Sequence, residues 1–439
     1  MHYTMTISEE NFNRIFNGFL ALLAVTMIFR KPCTLLILFF AIFNLFFIKK
    51  LGYSKQSILF ILLIASPLLL EIIMFWNNDS FPKGIKSLEK YSSLLVFPLF
   101  ILGNYQRIRF LDILRVYSMA TTGIILFFFL RFVIFFPALI HKYLNGNDLW
   151  EMGYEFSNSI GIHAPALNMH LAFVSICCLF FVFKEFRIRG KIMAKLISII
   201  IFVLSFFFVL FVNTRMALFN GLIGFVLVFF GEVFRKYNFK KVIGTLTILI
   251  AVLGMVLFIF VQNNPYMKEK YSSVTFAYMD KVGKLDEIEH PEAKVFNSLV
   301  TRVSIWKSAW ELSLKYLPFG VGASDGKTEL VSYFKQTNQH FLAKYEFPTH
   351  NQFLDFLIKF GILGPLVVLL YLFTIAYLGS SLKNAIIFSF FFLFFTSNLT
   401  DDFLLRFDGI AFSGLWMSIF GSYWLQQKII IADKEPKVL

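Results

Sequence analysis

Charge and cysteine are both scarce in this chain. Only 15% of the 439 residues are charged, and the three cysteines, Cys33, Cys177 and Cys178, all lie inside apolar runs. Soluble domains carry about 25% charged residues, so the composition argues against that class. Cysteines placed in this way predict neither a disulfide framework nor a thiolate metal site.

Long apolar runs take the place of the missing charge. Hydrophobic residues make up 58% of the chain, and several runs approach the roughly 20 residues with which a helix crosses a bilayer. The runs are continuous rather than alternating, which predicts helices and not a barrel. We therefore predict an all-α integral membrane protein.

The apolar runs also predict the domain organisation. We expect an N-terminal bundle at 1–262, a large polar loop with short helices at 263–350, and a C-terminal membrane region with a tail at 351–439. The N-terminus lacks the basic start and cleavage site of a signal peptide, so we expect its first run to be retained. About twelve spans are predicted, at 15–29, 33–48, 57–76, 91–104, 112–136, 163–183, 193–212, 215–233, 242–262, 351–378, 384–400 and 408–426.

Basic residues in the short loops predict the orientation. The loops on the side of the termini carry fifteen Lys and Arg, and those on the other side carry eight. The positive-inside rule then places both termini in the cytoplasm and the large loop outside. That loop is nearly neutral, with eleven basic and ten acidic residues, so the net charge of +14 reflects topology and predicts no nucleic-acid partner.

The polar loop contains the best-organised motifs. Residues Leu299 to Tyr316 have helical periodicity, which predicts a helix at the membrane surface. Its aromatic face, with Trp306 and Trp310, is expected at headgroup depth, and Arg302 is expected to point inward along the interface. A glycine-rich turn follows at 318–326, and the pattern of 327–347 assigns no conformation. Thr349 is the expected N-cap of the next helix, which is predicted to run from His350 past Gly364.

Three side chains are candidates for chemistry. His350 is expected at a helix N-terminus, where an anion is favoured, although a surface histidine without a role is the alternative. Arg215 lies in a tight turn between two apolar runs, where it either extends to lipid phosphates or binds a substrate phosphate. His163 is expected at the end of a span, with His170 deeper in the packed core. No carboxylate support is visible for a zinc site, so we predict no metal.

Together the motifs resemble the O-antigen ligase and polymerase superfamily. The resemblance rests on Asn213-Thr214-Arg215, where Thr214 departs from the usual serine, and on four later segments. These are Thr301-Arg302-Val303-Ser304-Ile305-Trp306, Pro318-Phe319-Gly320-Val321-Gly322, His350-Asn351-Gln352-Phe353-Leu354 and Gly361-Ile362-Leu363-Gly364.

The resemblance implies a GT-C-like membrane glycosyltransferase with a ligase-like region at about 200–400. Such an enzyme moves a glycan from a polyprenyl (undecaprenyl) diphosphate carrier to an acceptor hydroxyl at the periplasmic face of the bacterial inner membrane, without cofactor or metal. His350 is then the predicted catalytic base, and Arg215 and Arg302 are expected to bind the diphosphate. Asn351, His163 and Trp306 are possible substrate contacts.

The acceptor stays open within that superfamily. Ligation to lipid A-core is favoured, and the alternatives are a polymerase, which elongates another carrier-linked glycan, and a protein O-oligosaccharyltransferase. A transporter of the same lipid is the non-enzyme alternative, and it predicts paired polar residues midway through spans. Glu71 is one deep acidic residue, but no partner series for it is visible in the sequence.

Overall fold

A computed structural model of the chain describes residues 7–145, 149–187, 192–233, 276–296 and 298–432, with a few single positions between 247 and 259. Over these residues the structure is helical and contains no β-strand, which confirms the predicted all-α class. The predicted span at 242–262 and the start of the polar loop lie largely outside the described residues.

Each predicted run before residue 234 overlaps at least one helix, and three further helices, over 81–91, 137–144 and 149–160, were not predicted. The helices of this part are α1 (Glu9–Thr26), α2 (Arg30–Phe46), α3 (Lys55–Ile64), α4 (Ser66–Ile73), α5 (Phe81–Tyr91), α6 (Ser93–Gly103), α7 (Phe110–Phe135), α8 (Pro137–Leu144), α9 (Leu149–Ile160), α10 (Ala164–Arg187), α11 (Ile192–Val212) and α12 (Arg215–Val233).

Those described after residue 276 are α13 (Pro291–Lys294), α14 (Leu299–Lys315), α15 (Gly326–Gln336), α16 (His340–Lys344), α17 (Gln352–Phe360), α18 (Leu363–Leu382), α19 (Ala385–Thr400) and α20 (Phe407–Ala432). The stretch 327–347, for which the sequence pattern assigned no conformation, is therefore mostly helical.

Several of the described helices can cross a membrane. By length and hydropathy α7, α10, α11, α12 and α18 qualify, and the pair α3 and α4, bent by 65°, adds a sixth if it counts as one span. Pro67 lies directly after that bend, where its ring is compatible with the start of a new helix. A multi-pass membrane protein is thus supported, and the total of about twelve spans stays a prediction.

Aromatic side chains pack the N-terminal helices α7 and α10 against the C-terminal helices α19 and α20. The ring of Trp416 on α20 lies 5.0 Å from Tyr117 of α7 and 5.2 Å from Phe173 of α10. Phe173 in turn lies 4.9 Å from Phe390 of α19. Edge-to-face pairs of this kind add to the dispersion energy of burial, so many of the phenylalanines serve helix packing.

The polar loop has a small hydrophobic core of its own. Ile305 and Leu312 on the inner face of α14 pack with Phe334 of α15 and Phe341 of α16. Ile358 of α17 belongs to the same cluster, and this shared core attaches the loop to the helix that follows His350.

The glycine-rich turn is a packing contact between the loop and α17. The Val321 amide donates to the Ile358 carbonyl at 2.9 Å, and the Gly322 amide donates to the Lys359 carbonyl at 3.0 Å. A Cβ atom at Gly320, whose φ is +76°, would lie 2.5 Å from the Ile358 oxygen. Glycine is needed here because the turn packs directly on the backbone of α17. The space beside the turn is filled by α17.

The predicted continuous helix over 351–378 is wrong. It is divided between α17 and α18 at Gly361, whose φ is +58°. A Cβ atom there would lie 1.8 Å from the Pro318 carbonyl oxygen, and that same oxygen accepts from the Ile362 amide at 3.1 Å. The turn at Pro318 therefore fills the space that a straight helix would need.

Candidate active site

His350 lies at the start of α17, but the helix is capped differently from the prediction. The N-cap is Asn351 and not Thr349, since the Asn351 Oδ1 accepts from the amides of Phe353 and Leu354 at 3.0 and 3.1 Å. The Asn351 Nδ2 also donates to the Leu399 carbonyl at 3.1 Å. Asn351 thus has a structural role that joins α17 to α19, and its substrate contact stays a prediction.

A carboxylate that the sequence analysis missed lies beside the histidine. His350 Nδ1 is 3.4 Å from Asp401 Oδ1, and both side chains are largely buried. In the neutral tautomer that donates from Nδ1 to this carboxylate, Nε2 is left as the proton acceptor. The pair therefore has the arrangement of a general base and the group that orients it.

The neighbouring carboxyl, Asp402, has the opposite ionisation preference. Burial works against the charge of Asp401, but hydrogen bonds from His350 and Asp402, with Arg406 nearby, hold its pKa well below the usual range. Burial and the adjacent Asp401 raise the pKa of Asp402 well above its usual value. Two carboxyls in one buried loop divide in this way because a second charge there is costly. We expect Asp401 to be ionised and Asp402 to be neutral.

The three groups also form a possible set of metal ligands. Ligand atoms of His350, Asp401 and Asp402 lie within 4.8 Å of one another, so the expectation that no carboxylate accompanies a histidine is wrong. One feature disfavours a cation. Arg406 Nη2 lies 4.0 Å from the Asp402 Oδ1, where a divalent ion would be repelled.

Arg302 reaches the same loop from α14. Its Nη1 donates to the Thr400 carbonyl at 3.0 Å, immediately before Asp401. Arg302 near the start of α14 and His350 before the start of α17 therefore both contact the connection between α19 and α20. Trp306, one turn further along α14, has a buried indole N–H for which the described residues supply no hydrogen-bond acceptor. The contact of Trp306 with substrate stays a prediction.

Arg215 is the first residue of α12, in a turn that is built tightly. The Asn168 amide donates to Thr214 Oγ1 at 2.9 Å, and Gly153 of α9 packs so closely on α11 that a Cβ atom there would lie 2.6 Å from the Val212 carbonyl. This contact places α9, and with it Tyr154, against the turn.

The Tyr154 hydroxyl lies within electrostatic range of both candidate arginines, Arg215 and Arg302. Burial raises the pKa of its phenol, Arg302 and Arg215 lower it, and Asp401 adds to the rise. One hydroxyl thus lies within the fields of all three charged groups, although they come from α12, α14 and the α19–α20 connection. The structure brings the predicted residues Arg215, Arg302 and His350 into one region.

His163 lies next to Arg406. Arg406 Nη1 is 3.2 Å from His163 Nδ1, and because a guanidinium only donates, Nδ1 accepts and a neutral ring carries its proton on Nε2. Partial burial and Arg406 lower the pKa of His163, which favours this neutral form. His170, by contrast, is fully buried with its ring 4.1 Å from Phe412, as expected of a packed core residue.

The bundle also holds a buried group of charges away from these residues. Glu71 accepts from Ser87 at 2.9 Å, and Lys359 pairs with Asp355 at 2.7 Å within electrostatic range of Glu71. The view that Glu71 has no partner series is therefore wrong. Lys90 of α5 is also in electrostatic range of Glu71, so the group contains two acidic and two basic side chains, and it joins α4 and α5 to α17.

Four side chains of the site were not singled out from the sequence: Tyr154, Asp401, Asp402 and Arg406. The signal was present in the adjacent carboxylates of Asp401 and Asp402 between two apolar runs. Adjacent charged residues at a membrane boundary are costly, so they are usually paired with other groups or functional. On this ground the two aspartates predict a site in the loop.

The apolar helices of membrane-spanning length define the class as a multi-pass helical membrane protein. The O-antigen ligase family model matches residues 200–371, a region that includes Arg215, Arg302 and His350. This match confirms the O-antigen ligase and polymerase superfamily as the one that these motifs resemble. No curated protein matches the chain significantly.

Proposed function

We propose that the protein transfers a glycan from a polyprenyl diphosphate carrier, undecaprenyl diphosphate in a bacterial inner membrane, to an acceptor hydroxyl. The observation that carries the proposal is the His350–Asp401 pair with Arg302 bound to the adjacent carbonyl. A base for a hydroxyl and donors for a diphosphate are what this reaction requires.

The proposed orientation places the site at the periplasmic face. Both termini are cytoplasmic, about twelve spans cross the membrane, and the loop that carries α14–α16 lies outside. The bias of basic residues in the short loops supports this topology. It also puts the arginines at the depth of the carrier's phosphates.

The reaction proceeds as a direct displacement with inversion. His350 Nε2 takes the proton of the acceptor hydroxyl while that oxygen forms a bond to the anomeric carbon, and the bond from this carbon to the diphosphate oxygen breaks. Asp401 stabilises the imidazolium that results. Arg302 and Arg215 neutralise the charge that develops on the leaving diphosphate.

The arginines make this chemistry independent of a metal ion. A diphosphate leaving group needs positive charge in a fixed position, and planar guanidinium groups provide it through bidentate hydrogen bonds. Arg406 has a different part, since it lies between His163 and Asp402 and compensates the charge of the aspartate loop.

Lipid A-core is the favoured acceptor, with another carrier-linked glycan or a protein hydroxyl as alternatives within the same chemistry. The non-enzyme alternative is transport of the lipid-linked glycan. One observation favours it: Glu71, Lys359 and Asp355 form a buried group of charged side chains within the bundle. The group is confined to one place between α4 and α17, however, and a transport pathway requires polar residues along the depth of the membrane.

The test is the glycan profile of a deletion strain complemented with variants. Loss of the gene is expected to leave free core with accumulated carrier-linked polymer, and His350→Ala is expected to reproduce that profile at a normal protein level. His340→Ala is the matched control, because His340 is an exposed histidine of the same loop. Single-repeat caps would instead indicate a polymerase, and unmodified proteins a protein transferase. Normal glycans in the His350→Ala strain would refute the base assignment.

A further inference from the structure

The polar loop exposes an apolar surface on a helix that is not a membrane span. The inner face of α14 packs into the loop's own core, whereas Trp310 and Leu314 on its outer face are 52% and 51% exposed. Leu317 and Phe319 continue this surface past the end of the helix and are also exposed. Soluble surfaces rarely leave such side chains together without a partner.

A tryptophan from the N-terminal bundle completes the surface. Trp76, which is 63% exposed, lies edge-on to Phe319 with ring centroids 5.7 Å apart. The next residue, Asn77, donates through Nδ2 to the carbonyls of Phe319 and Gly320 at 3.3 and 3.0 Å. We call Trp76, Trp310, Leu314, Leu317 and Phe319 the aromatic patch. The bundle and the loop build it jointly, and the hydrogen bonds keep it rigid.

The aromatic patch continues into surfaces that face lipid. Trp76 follows Ile72 and Ile73 at the end of the bent helix pair, and both isoleucines are exposed. On the other side, the Ile362 amide donates to the Pro318 carbonyl, and Ile362 directly precedes the span α18. The patch therefore lies at the level where apolar helices enter the bilayer.

Charge around the aromatic patch matches a phospholipid headgroup layer. Lys83 and Lys86 on α5 are exposed, and α5 approaches the patch through the contact of Phe81 with Phe75, whose ring centroids are 5.4 Å apart. Lys307 is exposed on α14 one turn before Trp310. Tryptophan and lysine are the residues that favour the interface between water and hydrocarbon.

We propose that the aromatic patch inserts into the lipid leaflet next to the active site and fixes the depth of the polar loop. The occupant is a phospholipid surface. Arg302 lies eight residues before Trp310 on the same helix, about 12 Å along its axis. Insertion of Trp310 and Leu314 thus holds Arg302, and the aspartate loop to which it is bonded, at headgroup level.

The experiment measures the depth of a spin label at Leu314→Cys in lipid nanodiscs, with Lys335→Cys on α15 as an exposed control. The native cysteines are all buried, so labelling is selective for the new thiol. Power saturation is expected to show oxygen favoured over a water-soluble nickel chelate at position 314, with the reverse at 335. Equal access of the nickel chelate to both positions would overturn the proposal.

A second copy of the chain is the competing occupant. If it covers the patch, the label at position 314 will show spin–spin broadening that the label at 335 lacks, in nanodiscs that hold two copies and not in those that hold one. That result would also overturn the lipid assignment. The measurement requires no turnover, so it stands or fails independently of the proposed glycan transfer.

Discussion

Replacement of Asp401 by asparagine tests whether the carboxylate acts on His350. Asparagine keeps the size of the side chain and removes its charge, so the imidazolium formed during transfer loses its counter-ion. The neighbouring Asp402 supplies a matched control one residue away. Because its pKa is raised well above the usual value, its neutral acid is already similar to an amide, and Asp402→Asn should change little.

The size of the effect follows from the geometry. At the 3.4 Å separation of His350 Nδ1 and Asp401 Oδ1, unit charges attract by about 5 kcal/mol at an effective dielectric constant of about 20. Partial exposure of the pair screens this attraction, which leaves about 3 kcal/mol. That free energy corresponds to a fall in kcat of roughly 150-fold for Asp401→Asn.

The assay is transfer of glycan from a lipid-linked donor in proteoliposomes, with protein amount and thermal unfolding measured alongside. The expected result is a lower kcat with little change in KM for Asp401→Asn, and turnover near that of the unmodified protein for Asp402→Asn. Equal losses in the two variants would mean that the loop as a whole was damaged. Full activity of Asp401→Asn would refute the assigned role.

Three further predictions concern the arginines, the metal and the break between α17 and α18. Arg215→Lys and Arg302→Lys keep the charge and lose the bidentate geometry, so donor turnover should fall roughly 10- to 100-fold, and undiminished kcat would contradict diphosphate binding. Treatment with a strong chelator should leave the transfer rate unchanged, whereas loss that added Mg²⁺ or Mn²⁺ restores would establish a metal site. Gly361→Ala should destabilise the fold by at least about 2 kcal/mol, because its Cβ would meet the Pro318 oxygen. The control is Gly18→Ala, where a Cβ meets nothing within 4 Å, and equal melting temperatures would contradict this account.

Local sequence properties predicted much of the fold. The boundaries of α7, α10 and α11 follow the predicted runs because hydropathy and helix length are read residue by residue. The helix at 299–316 was also predicted. The break at Gly361 was not, because the atom that requires it, the Pro318 carbonyl oxygen, comes from a different part of the chain.

Some residues of the candidate site were predicted from the sequence, and others were found only in the structure. Arg215, Arg302 and His350 were recognisable from the sequence, since each is a polar side chain at a membrane boundary within a motif. Their neighbours were not. Asp401 is 51 residues from His350, and Arg406 is 243 residues from His163.

The sequence alone determined that the chain is a helical membrane protein and which of its polar motifs stand at the ends of apolar runs, because charge in lipid is costly and therefore rare within such runs. Only the tertiary structure decided which carboxylate lies beside His350, which nitrogen of His163 accepts a hydrogen bond, and which face of α14 is left exposed. These depend on distances of a few ångströms between helices, and packing sets such distances.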